Sequence, residues 1–204
     1  REILAKAQRY QSDLVKAVDP EIDPPDYDIK LESLIPLLEG KIKAHFHCHR
    51  ADDIFTALRI SKEFNISPVL VHCTEGHLVA EELSGCEAVI GPIISDRCKP
   101  ELANISIENA KILRENGCMT AVCTDHGEIP IQYLPLSAGL TMRGGATHYE
   151  ALESITCIPA KIGNIYDRVG SIEEGKDADI CMFSCDPFEI LSQPELVMID
   201  GKIV

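Results

Sequence analysis

The stretch KAHFHCHRADD, Lys43 to Asp53, decides how this chain is read. It places histidines at 45, 47 and 49, and side chains two apart on a regular strand share one face. His45 would lie deepest, His47 at the rim, and His49 already in the following loop. Asp52 and Asp53 then fall in the first turn of a helix, where the backbone dipole favours carboxylates. A strand that ends in imidazoles is either a poorly buried edge or the place where ligands are delivered to a metal.

Working outward, the same strand-then-helix grammar recurs. Ile42–His47 reads as a strand and ADDIFTALRISKEFN as a helix with Ile54, Ala57, Leu58 and Ile60 on one side. SPVLVHC is a strand followed by a short helix, GHLVAEELSG. EAVIGP is a strand, IENAKILRENG a helix ending at Gly117, and CMTAVCTDH a strand. QYLPLSAGLTMR and HYEALESITC read as two more helices. Strands alternating with helices at this spacing build βα units on a parallel sheet. Near-continuous apolar strands suit a sheet buried on both faces. Four such units make either an open doubly wound sheet or half of an eight-stranded barrel. No glycine-rich phosphate loop follows the first strand, which weakens the dinucleotide-binding version.

The flanks differ. REILAKAQRYQSDLVKAV has helical apolar spacing, DPEIDPPDYD is a loop, and IKLESLIPLLEG reads as a second helix with Gly40 as its C-terminal cap. The chain opens at Arg1, inside a helical pattern, and so reads as a piece of a longer polypeptide. Beyond residue 165 the pieces are short and strand-like, with Asp200-Gly201 as a hairpin turn before Lys202–Val204. The expected segments are a helical lead-in over 1–40, an α/β body over 41–165 and a small β addition over 166–204.

Composition narrows the partners. The 204 residues carry a net charge of −14, which argues against nucleic acid and anionic membrane surfaces. No apolar run reaches the roughly 20 residues that a membrane span needs. Nine cysteines, an odd number without CxxC pairing, favour a reducing cytoplasm over a disulfide framework.

Three of the four strands close on metal-competent side chains: His47 or His49, His72, and Asp125. In parallel α/β folds the carboxyl ends of the strands form the functional rim. Two imidazoles and a carboxylate there suit a divalent transition metal, zinc above all. Each residue also has an ordinary reading, since a strand-end histidine is often a satisfied polar group and Asp125 could cap a helix. Repetition at three strand ends favours the site. His77 and His148 read as surface histidines. Cys48 and Cys73 alternate away from the neighbouring imidazoles and read as packing residues.

HCHRADDIFTALRI, VHCTEGH, TDHGEIPIQYLPLSAGL, PAKIGNIYDRVGSIEEGKDADICMF and VMIDGKIV together resemble the amidohydrolase superfamily, in its imidazolonepropionase-like branch. The resemblance runs from about Lys41 to Val204, and RVGSIEEGKDADICMF matches the family's return into a small β-sandwich. It implies the C-terminal half of a (β/α)8 TIM-type barrel, parallel strands five to eight, with a β-sandwich tail. It implies His47 and His72 as metal ligands, and Asp125 as both ligand and proton acceptor from the attacking water. His49, Arg50, Gln132 and Tyr133 are the expected substrate contacts. The implied reaction is metal-dependent hydrolysis of an amide-like C–N bond in a small cyclic amide or dipeptide. The family's opening His-x-His strand and its fourth-strand ligand have no counterpart here. The expected partner is therefore a second copy of the chain or a missing N-terminal half. The alternatives are a non-catalytic barrel fragment and a metal-free small-molecule scaffold.

Overall fold

The computed structural model describes residues 1–204. The chain divides into two compact units, one of residues 1–46 and 55–69, the other of 47–54 and 70–204.

The first unit begins with α1 (Glu2–Lys16), α2 (Ile29–Glu32) and α3 (Ile35–Leu38). Residues 29–38, expected as one helix, form two short turns. Pro36 has no N–H to donate to the Glu32 carbonyl, which breaks the run, and it sits instead in the first turn of α3, where that N–H is not needed. Gly40 ends α3 as expected. At φ +70°, its N–H reaches Leu37 O at 3.1 Å while Lys41 N–H reaches Pro36 O at 2.8 Å, the paired bonds of a Schellman cap. Leu37, Phe64 and Ile66 form a buried cluster, with Leu4, Leu34, Leu38, Ala44, Phe46 and Ile60 packed around it. Tyr10 donates its hydroxyl to Glu32 at 2.8 Å.

The elements that carry the site are β1 (Ala44–Cys48), α4 (Ala51–Phe64), β2 (Pro68–His72), β3 (Glu87–Ile90), α5 (Asn109–Glu115) and β4 (Met119–Val122). The four strands form one parallel sheet in the order β1-β2-β3-β4, with Glu87 opposite Met119 and Ile90 opposite Val122. Strands β2 to β4 are largely buried, as their apolar runs require. β1 is not: His45 and His47 are exposed and alternate with half-buried Ala44 and Phe46 and buried Cys48. His45, expected to be deepest, therefore faces open space. The segment 76–83, expected as one helix, forms two 3-10 turns, Gly76–Leu78 and Ala80–Leu83.

The second unit continues with α6 (Leu134–Arg143), α7 (His148–Glu153) and α8 (Cys157–Ile162). Thr147 and Glu150 form a reciprocal capping box on α7. Strands β5 (Ile180–Phe183), β6 (Pro194–Ile199) and β7 (Lys202–Ile203) make a three-stranded antiparallel sheet. Asp200 and Gly201 turn between the last two with positive φ at both positions, as a two-residue hairpin of this kind requires. All nine cysteines are free, and no helix is long and apolar enough to cross a membrane.

Candidate metal centre

β1 delivers His47 from its penultimate position and His49 from the residue just past its end; β2 delivers His72 as its last residue. One ligand-capable nitrogen from each of the three rings lies within 4.8 Å of the others. The His49 and His72 rings are stacked, 4.6 Å between centroids and 9° apart in plane. His47 meets both edge-on, at 4.9 and 4.4 Å.

His72 is 4% exposed and adopts φ +69°, and Cys73 follows at φ +45°. Non-glycine residues held in this left-handed region cost on the order of 1–3 kcal/mol and persist only where the surroundings over-determine them. The surroundings do so here. Cys73 N–H donates to Cys48 O at 2.8 Å. The Cys73 carbonyl accepts from Asn109 Nδ2 and from Gly76 N–H, both at 2.9 Å. Gly76 is required at this point, because a Cβ on it would lie 2.7 Å from Cys73 Sγ.

Hydrogen bonding orients the rings. His72 Nδ1 lies 2.6 Å from the carbonyl oxygen of Gly91. A carbonyl only accepts, so Nδ1 carries a proton, and in the neutral ring that tautomer leaves Nε2 with the lone pair. His49 Nδ1 meets Thr74 Oγ1 at 2.8 Å. Burial, followed by repulsion from His72 and His47, holds the His49 imidazolium below the usual histidine range, which keeps the ring neutral. Burial also pushes the Cys48 thiol up to about 11 and the Cys73 thiol further still, so neither offers a thiolate at neutral pH.

The donor set fits a transition metal. Neutral imidazoles suit zinc, copper, iron or nickel, and hydrogen bonds that fix their tautomers are the usual support of such ligands. Two nitrogens on one tetrahedral ion, each bonded at about 2.1 Å, lie about 3.4 Å apart. The rings, whose nitrogens lie within 4.8 Å of one another, need to close by on the order of an ångström to reach that spacing.

The other expected residues are not members of that three-ring group. β4 stops at Val122, so Asp125 sits in the following loop rather than on the strand; it is exposed, at φ +51°, and stands outside the three-ring cluster. Arg50 is exposed and paired with Asp52 at 3.2 Å. Gln132 and Tyr133 are exposed in a 3-10 turn, Ile131–Tyr133. His148 is bound to Asp186 at 2.6 Å, and His77 is half-buried with its Nδ1 unpartnered. Sequence reasoning missed Thr74, Gly91 and Asn109. Only the short spacing of Thr74 from His72 hinted at any of them, because their partners come from distant elements.

Imidazoles gathered at the carboxyl ends of a parallel α/β sheet define a protein with a candidate metal centre. The chain belongs to the amidohydrolase family, whose model matches residues 37–204. It is similar to the amidohydrolase tasK of Hapsidospora irregularis, 28% identical over 181 residues, 85% of this chain and 18% of that protein. The crystal structure of an amidohydrolase from Thermotoga maritima MSB8 superposes on the whole chain with a TM-score of 0.95 and 36% identity, over 54% of its own length. A Xaa-Pro dipeptidase with bound methionine in its active site shares the fold, with a TM-score of 0.66 and 22% identity over 86% of this chain and 47% of that one. The chain thus spans about half of the Thermotoga protein and under a fifth of tasK.

Proposed function

We propose that this chain contributes the metal-binding rim of a hydrolase that cleaves an amide-like C–N bond in a small cyclic amide or a dipeptide. The observation that carries the reading is the set of three imidazole nitrogens within 4.8 Å of one another. His47 and His72 would hold the metal, with His49 next to both. Zinc is the favoured ion, because neutral imidazole and carboxylate donors are its usual ligands. A divalent ion bound there would lower the pKa of water toward about 7 and polarise a substrate carbonyl.

The chain's own residues supply the remaining roles. The Gly91 carbonyl keeps His72 in the tautomer that leaves Nε2 free. Asp125, a carboxylate in the loop beyond β4, would take the proton released by the attacking water, with a metal-ligand role in addition. Arg50, Gln132 and Tyr133, all exposed, would contact the substrate. The fold fits strands five to eight of a (β/α)8 barrel, with the antiparallel sheet as part of a β-sandwich. A second copy or an N-terminal half would complete the barrel, and the free cysteines fit a reducing cytoplasm.

Metal analysis and turnover of a cyclic-amide and dipeptide panel test the reading. Wild-type protein should bind zinc and turn over at least one substrate class. His72→Ala should lose metal, and Asp125→Ala should lose hydrolysis. Full retention of both properties in both variants would overturn the assignment.

A further inference from the structure

We infer that Glu75 is a positioning residue for the imidazole cluster, tying the loop that carries His49 to the turn that follows His72. The inference rests on the metal-centre reading above and assigns a residue that neither the resemblance nor the ligand set includes.

Three bonds converge on Glu75. Its backbone N–H donates to the His49 carbonyl at 2.8 Å. Its Oε2 accepts from Ala51 N–H, the first residue of α4, at 2.7 Å. Its Oε1 accepts from Asn104 Nδ2 at 2.8 Å. The preceding residue, Thr74, meets His49 Nδ1. One short turn after β2 therefore grips the His49 loop at its carbonyl, at its ring and at the helix that follows it. Asn104 adds the segment between β3 and α5.

The chemistry calls for a carboxylate. The first N–H groups of a helix have no partner within it and carry partial positive charge, so a carboxylate there makes a short, charge-assisted bond. Two separate N–H donors face Glu75, and a carboxylate presents an acceptor oxygen to each, whereas glutamine has one acceptor oxygen. Glu75 stands outside the three-ring cluster, and both of its oxygens are engaged. It therefore acts through the histidines rather than as a ligand or base. The left-handed pair His72-Cys73 needs this kind of external restraint to hold its shape.

The test is zinc affinity by chelator competition, with the visible spectrum of the cobalt(II)-loaded chain, for wild type, Glu75→Ala and Glu75→Gln. Loss of a residue that orients ligands costs roughly 10- to 100-fold in metal affinity, so Glu75→Ala should bind zinc that much more weakly and show an altered cobalt spectrum. Glu75→Gln, which keeps one of the two acceptors, should recover only part of the loss and stay several-fold weaker than wild type. Thermal melting of the metal-free proteins separates this effect from general destabilisation. If Glu75→Ala does not fold, Glu75→Gln decides: weaker zinc binding with a shifted cobalt spectrum at unchanged melting temperature supports the inference. Affinities within about twofold of wild type and unchanged spectra in the folded variants would overturn it, since ligand orientation changes more than that. Wild-type protein that binds neither ion overturns the metal reading and this inference together. Tight binding by wild type and the Glu75 variants alike overturns only the inference.

Discussion

His72 and Gly91 are joined across the sheet by a 2.6 Å hydrogen bond from the imidazole Nδ1 to the glycine carbonyl oxygen. Gly91 can be nothing but glycine. It sits at φ +138°, and a Cβ would lie 2.2 Å from the Cys123 carbonyl oxygen. Gly91→Ala should therefore destabilise the chain by about 2–3 kcal/mol or more in urea unfolding, through backbone strain and steric overlap. It should also weaken zinc binding, because the carbonyl that orients His72 must move. A variant as stable as wild type would show that the strand end is more pliant than this packing implies.

Thr74 offers a gentler probe of the same centre. Its hydroxyl meets His49 Nδ1 at 2.8 Å, and the side chain is buried. Thr74→Val keeps the shape and removes the hydrogen bond. Zinc affinity should fall roughly tenfold, the lower end for loss of a group that orients a ligand. The stability cost should be about 1 kcal/mol, the usual size for one hydrogen bond. Competition with a chromogenic chelator reads the first number and urea unfolding the second; unchanged affinity would remove Thr74 from the centre.

Glu150 makes stability depend on pH. The Thr147 backbone N–H, then its hydroxyl-capped turn and Lys111, hold the Glu150 carboxyl below the usual carboxylate range. A carboxyl with a lowered folded-state pKa stabilises the chain above its unfolded value, and loses that contribution as pH falls through the folded value. Glu150→Gln should cost about 1 kcal/mol at pH 7, the size of a capping interaction. Wild type and variant should converge as the solution is acidified below the normal carboxylate range. Melting curves from pH 7 to 3 check this, and a gap that stays constant would remove Glu150 as the source.

Gly40 isolates backbone conformation from packing. It adopts φ +70°, with no heavy atom near the position a Cβ would take. Gly40→Ala should cost about 1 kcal/mol, the left-handed penalty alone. A much larger loss in urea unfolding would point to contacts beyond the cap.

Local pattern carried far into this structure. The strand–helix alternation, the Gly40 cap, the Asp200-Gly201 turn and the placement of histidines at the ends of β1 and β2 follow from side-chain period, backbone sterics and turn chemistry, all of which act over a few residues. Where neighbours along the chain compete, the reading slipped. Pro36 broke an expected helix, and β4 ended at Val122, three residues short of Asp125. His45 could not be judged at all from its own stretch, because exposure on β1 depends on what lies over that face.

Sequence alone determined that imidazoles recur at the ends of parallel strands, since that needs only a period of two and a βα repeat. Tertiary structure decided which of them meet: His47, His49 and His72 converge into one group. It also chose the tautomer of His72 through Gly91, and set Glu75 and Asn109 around the strained turn. The physical reason is range. Periodicity and caps are settled within one or two turns of chain, whereas the contacts of His72 with His47 and His49 and the hydrogen bonds that hold His72 and Cys73 join residues 19 to 36 positions apart, which only the folded backbone brings together.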